Sequence, residues 1–136
     1  MNEPHACLSC RDVGSMVFVF GSNEAGIHGA GAAKHAADFH GARFRQGFGI
    51  SPTRLPGARV RSSFAIPTKD WGIQTLPLYV IQHYVQRFLA FARATSGETY
   101  FVTRIGCGLA GYTDADIAPM FRDAPKNCIL PNGWRT

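Results

Sequence analysis

Asn23 and His28 stand in a run of small residues, FGSNEAGIHGAGAAKH at positions 20–35, where few other side chains can do chemistry. A carboxamide donates and accepts hydrogen bonds, so Asn23 suits a sugar hydroxyl. His28 is the one side chain in this loop able to move a proton near neutral pH, its ordinary pKa being about 6.5. Asn23 and His28 are therefore the candidate catalytic residues, the plainer reading of His28 being an exposed loop histidine. Around them Gly21, Ser22, Gly29, Ala30 and Gly31 carry little bulk. Such a loop lets main-chain N–H groups approach an anion, and a helix N-terminus behind it adds unpaired donors and the positive end of a dipole. The same small residues also suit a helix packed tightly on a sheet.

A second stretch repeats the layout. Residues 100–112, YFVTRIGCGLAGY, run from an apolar strand into a loop holding Gly106, Gly108 and Gly111. Thr113 and Asp114 then signal a helix start, where carboxylates suit the dipole. The candidate ligand-binding residues here are Gly106, Cys107, Gly108, Leu109, Ala110, Gly111 and Tyr112. Cys107 is also a candidate thiolate, since a glycine loop before a helix can depress a thiol pKa. A cysteine phosphatase would place an arginine within that loop, whereas Arg104 precedes it, and a buried inert thiol ranks ahead. Two glycine loops after two strands can close on one phosphorylated ligand.

Other polar groups carry weaker signals. Lys34 can counter a phosphate or face water, and Lys69 with Asp70 reads first as a simple turn. His5, Cys7 and Cys10 offer three zinc ligands, but a fourth would have to come from distant Cys107 or Cys128. Structural zinc sites pair their ligands at both ends, so no metal is expected and this segment reads as a leader. Residues 43–61 hold five arginines and no acid. This run is the basis of the alternative function, nucleic-acid binding, although a solvated loop is the simpler reading.

The elements that must position these groups follow from periodicity. Residues 16–20 are apolar throughout, as in a strand buried on both faces. An alanine-rich helix is expected from about residue 29 to 39, with Gly41 as its stop. Short strands are expected at 42–44 and 59–66, with residues 50–58 as an exposed loop and 67–70 ending the second strand. A helix opened by Leu76 and Pro77 places Ile81, Tyr84, Val85, Phe88, Phe91 and Ala92 on one face. A strand at 99–105, a short helix after Thr113 and a strand at 127–130 complete an α/β order. The expected fold is a single-domain mixed sheet with helices on both faces, spanning residues 16–131 after an irregular tail, 1–15.

The chain of 136 residues is 46% hydrophobic and 17% charged, the composition of a globular domain. Its formal charge is +5, carried by eleven arginines and three lysines. Arginine forks suit phosphates and carboxylates. No run reaches the roughly 20 apolar residues of a membrane span, and no signal core precedes Gly14, so a cytoplasmic location and no membrane partner are expected. Nothing calls for a cofactor.

The segments FGSNEAGIHGAGAAKHA and TRIGCGLAGYTDADIA resemble the two loops of the macrodomain family, most closely its small single-domain phage and bacterial members. The resemblance spans about residues 17–130 and implies binding of ADP-ribose, with hydrolysis of ADP-ribose 1″-phosphate or of ADP-ribosyl linkages in some members. By position, it implies that Asn23 contacts the distal ribose and that Gly29, Ala30 and Gly31 wrap the ribose and diphosphate. It makes 106–111 the second diphosphate loop, with Tyr112 near the distal ribose. The first loop departs from the family in having Gly-Ala-Gly preceded by His28. The family's adenine-binding acid has no secure match in this sequence, Asp12 being the only candidate.

Overall fold

The computed structural model describes residues 16–52 and 61–135. His5, Cys7, Cys10, Asp12, Arg54 and Arg59 lie outside them. Five strands form one sheet. In chain order the elements are β1 (Val17–Asn23), α1 (Gly31–Phe39), β2 (Gly49–Ser51), β3 (Ser62–Lys69), α2 (Leu78–Ala94), β4 (Tyr100–Val102), α3 (Asp114–Ile117) and β5 (Cys128–Ile129). A 3₁₀ turn, Ala118–Phe121, follows α3 directly.

The strands lie in the order β2-β3-β1-β4-β5. β1 pairs in parallel with both β3 and β4, β5 joins β4 in parallel, and β2 closes the far edge antiparallel to β3. This is a mixed α/β sheet with β1 at its centre. Alternate residues of a strand point to opposite faces. Phe18 and Phe20 accordingly pack with Ala33 and Ala36 of α1, while Val17 and Val19 pack with Ile81, Val85 and Phe88 of α2. The alanines of α1 bring that helix close to the sheet, and the α2 stripe matches the helical spacing of its sequence.

Several element boundaries differ from expectation. β4 stops at Val102, short of the expected residue 105, β3 starts at Ser62 and β5 spans only Cys128–Ile129. Four further differences have a local reason. β1 continues past Phe20 to Asn23, because the long partner β3 pairs with Gly21, Ser22 and Asn23 through Ile66, Pro67 and Lys69. The helix begins at Gly31, Ala30 being still extended at φ −156° and ψ 161°. β3 runs through Pro67 instead of ending there. β2 pairs β3 only as far as Ala65, so the missing N–H of Pro67 breaks no ladder on that side. The edge strand itself is Gly49–Ser51 and not 42–44, which takes Ile50 and Ser51 out of the expected loop.

Residues 42–48 instead brace the first loop. Ser22 Oγ donates to the Gly47 carbonyl, Arg45 N–H donates to the Gly26 carbonyl at 2.8 Å, and the His28 ring meets the Arg43 carbonyl at 3.0 Å. A side chain at Gly47 would collide with the Asn23 carbonyl, and one at Gly26 with the Arg45 backbone. The first residues of the arginine-rich segment, 43–47, are thus held against the β1 loop by their backbone.

Candidate functional site

From β1 the chain leads toward β3 on one side, and from β4 it leads to β5 on the other. The carboxyl ends of β1 and β4 therefore flank a topological switch point, where open α/β sheets bind ligands. A cavity of about 620 Å³ lies there.

Its first wall is the end of β1 and the start of α1: Gly21, Ser22 and Asn23, then Gly29, Ala30 and Gly31. Asn23 is buried, and its carboxamide closes a ring on the next turn. Nδ2 donates to the Ile27 carbonyl at 2.7 Å and Oδ1 accepts the Ile27 N–H at 3.0 Å. One N–H and one lone pair remain for a ligand. No side chain caps α1 at Ala30, and its first turn holds no acidic residue. The first N–H groups of a helix have no intrahelical acceptor, so this end offers donors and partial positive charge to the cavity.

The second wall is Gly106, Cys107, Gly108, Leu109 and Ala110. Gly106 adopts φ +78°, which a side chain would strain, and there a Cβ would also stand 3.1 Å from Ile117. The loop is coiled by Tyr112 N–H donating to Gly106 O at 2.9 Å and Gly111 N–H to Gly108 O at 3.0 Å. Among the described residues, no backbone carbonyl accepts the amides of Gly108, Leu109 or Ala110. A Cβ on Gly29 or Gly108 would meet nothing within 4 Å. By contrast, α3 is closed by a capping box between Thr113 and Asp116.

Three candidate residues do not line the cavity. The His28 ring stands edge-on to Phe20 at 5.3 Å and bonds the Arg43 carbonyl, so it faces the brace. Tyr112 donates its hydroxyl to the Leu76 carbonyl at 2.7 Å, tying the second loop to the entry of α2. Gly111 lies just beyond the wall.

The walls also contain residues that sequence reasoning passed over: Thr68, Lys69 and Ile73 from the β3 end, and Thr103, Arg104 and Ile105 from the β4 end. Lys69 and Asp70 read as a turn, and they do open one. Asp70 Oδ1 accepts the N–H groups of Gly72 at 2.8 Å and Gln74 at 2.9 Å. Ile73 within that turn has φ +64°, a strained conformation for a β-branched residue. No sequence signal marks such a residue.

Among the described lining residues there is no carboxylate and no imidazole, while Lys69 and Arg104 supply two cations. Arg104 is ion-paired with Asp114. Burial works to raise the Asp114 carboxyl pKa, but hydrogen bonds from Arg104 and the Trp134 indole hold it below the usual carboxylate value. Burial first, and then the Asp114 carboxylate, push the Cys107 thiol up to about 12. Cys107 is therefore a protonated thiol at neutral pH, because burial and Asp114 outweigh the lowering effect of Arg104.

In the arginine-rich segment the Arg45 guanidinium lies 5.1 Å from the exposed Phe44 ring. Among the described residues, no helix is long and apolar enough to cross a membrane, and no cluster of three His, Cys, Asp or Glu could hold a metal.

No family model matches the chain, and no curated protein matches it. A solved structure described as a protein of unknown function from Bacteroides thetaiotaomicron is similar in fold, with a TM-score of 0.56 at 14% identity. The match covers 88% of this chain and 84% of that one.

Proposed function

We propose that the chain binds ADP-ribose or a related ADP-ribosyl nucleotide in the cavity between β1 and β4. The observation that carries this reading is the convergence of an uncapped helix N-terminus and an open glycine loop on one cavity that contains cations and no acid. A diphosphate needs several N–H donors approaching without side chains in between, and the two walls supply them from two directions. About 620 Å³ is more than an inorganic anion fills and is within the usual range for a nucleotide-sized ligand. The ADP-ribosyl character of the ligand rests on the macrodomain resemblance of the two loops.

Binding is favoured over hydrolysis as the basic activity. His28 faces away from the cavity lining and Cys107 keeps its proton, so the described side chains around the cavity include no ready base. Titration with ADP-ribose, followed by calorimetry and amide chemical shifts, tests the proposal. Shifts concentrated at 29–33 and 106–110 are expected. No binding at millimolar ligand would overturn it.

A further inference from the structure

We propose that Lys69 is the residue that reads the ligand's negative charge, and that the diphosphate group is what it reads. The inference rests on the binding site proposed above, and it adds a third wall to the two glycine loops. β3 ends at Lys69, which pairs in register with Asn23 at the end of β1. Lys69 lines the cavity from β3 and Arg104 lines it from the end of β4, so the two cations flank the β1 terminus, about two strand spacings or roughly 9–10 Å apart at the backbone.

The two cations differ in what already holds them. Arg104 is neutralised by Asp114. Lys69 has no such partner among the described residues, although acids stand close to it in the chain and in the sheet. Asp70, its neighbour, turns Oδ1 to the amides of Gly72 and Gln74. Glu24, whose N–H donates to the Lys69 carbonyl at 2.9 Å, accepts the Tyr84 hydroxyl at 2.6 Å through its own carboxylate. Each nearby carboxylate is directed to a partner of its own. Lys69 is thus the cavity-lining cation with no carboxylate partner among the described residues.

The hairpin after Lys69 fixes the backbone from which that side chain extends. Asp70 N–H donates to the Gln74 carbonyl at 2.7 Å, Leu76 N–H to the Thr68 carbonyl at 2.8 Å, and Thr75 Oγ1 to the Ala110 carbonyl at 3.0 Å. The last bond ties the β3 end to the second glycine loop. Backbone donors alone bind neutral oxygens as well as anionic ones, whereas a compact ammonium makes affinity conditional on charge.

Lys69→Met keeps most of the side-chain stem and removes the ammonium. Calorimetry at two ionic strengths would compare the unmutated protein, Lys69→Met and Lys69→Arg, using ADP-ribose and inorganic pyrophosphate as separate probes. A thermal melt of each variant checks folding. The expected result is a loss of tenfold or more for both probes in Lys69→Met, a weaker dependence on salt, and partial recovery in Lys69→Arg. Equal ADP-ribose affinity in a folded Lys69→Met would overturn the role of Lys69 and leave the binding site standing. Pyrophosphate binding that depends on Lys69, without ADP-ribose binding, would uphold Lys69 and remove the ADP-ribosyl reading. Failure of the unmutated protein to bind either probe would remove both.

Discussion

Asn23 holds Ile27 by both ends of its carboxamide, accepting the Ile27 N–H and donating to the Ile27 carbonyl. One side chain thereby sets the curvature of the loop that leads into α1. Asn23→Ala loses both bonds and should cost about 1–2 kcal/mol of stability, with ADP-ribose affinity falling as the loop loosens. Asn23→Asp keeps the acceptor but places a negative charge beside the proposed diphosphate, so it should weaken binding more than it weakens the fold. Urea melts and calorimetry on both variants separate the effects. Unchanged melting and binding in Asn23→Ala would remove the bracing role.

Glycines around the cavity divide into two kinds. A side chain on Gly29 or Gly108 would enter open space, whereas Gly31 has φ +58° and strains any substituent. Gly108→Val and Gly29→Val should therefore keep near-normal stability while reducing ADP-ribose affinity at least tenfold, about 1.4 kcal/mol. Gly31→Val should lose stability as well. Full affinity in Gly108→Val would place the ligand elsewhere.

Turnover, if assayed, should not depend on Cys107 or on His28. With its pKa pushed to about 12, Cys107 should be alkylated slowly by iodoacetamide at pH 8, as read by peptide mass spectrometry. Cys107→Ser should leave ligand affinity within about threefold, since it removes no charge from the cavity. Release of phosphate from ADP-ribose 1″-phosphate, or of ADP-ribose from a modified substrate, checks the hydrolytic alternative. Activity lost in His28→Ala, with binding and folding intact, would restore the histidine as base.

His40 makes stability depend on pH. It is fully buried, stacks on Phe18 at 4.3 Å, and has no hydrogen-bond partner at either ring nitrogen among the described residues. Burial, then the charges of His35 and Arg61, lower its pKa from 6.5 to about 4. The unfolded chain therefore binds a proton first as pH falls. Stability from this residue is complete above about pH 6.5 and is lost progressively toward about pH 4, by at most roughly 3 kcal/mol. His40→Phe keeps a ring on Phe18 and cannot titrate. Melts at pH 7.5 and pH 5 should show a larger acid loss in the unmutated protein than in the variant, and an equal loss would contradict the assignment.

Nucleic-acid binding by the arginine-rich segment remains the competing function, and it makes a separate prediction. Contacts to duplex phosphates would give a salt slope near 0.9 per contact. Because a solvated loop is the simpler reading of this run, weak binding with a shallow slope is expected. Tight, salt-sensitive mobility shifts abolished by replacing Arg54, Arg59 and Arg61 would reverse the ranking.

Local composition was enough to read the α/β order, the central β1, the amphipathic α2 and the two glycine loops, because burial periodicity and turn chemistry act over a few residues. The two loops were legible as open, small-residue turns at strand ends for the same reason: glycine spacing is a backbone property, and both line one cavity. What sequence could not show was which groups meet. Lys69 joined the cavity because β3 lies beside β1, a pairing between residues more than forty positions apart. His28 left the lining because the 42–48 segment, which has no readable period, offers it the Arg43 carbonyl. Cys107 lost its nucleophilic reading to burial and then to the Asp114 carboxylate, which together raise a thiol pKa that a glycine loop alone would lower. Pairing register, desolvation and the competition of carboxylates for partners are long-range effects, so they were decided only when the chain was folded.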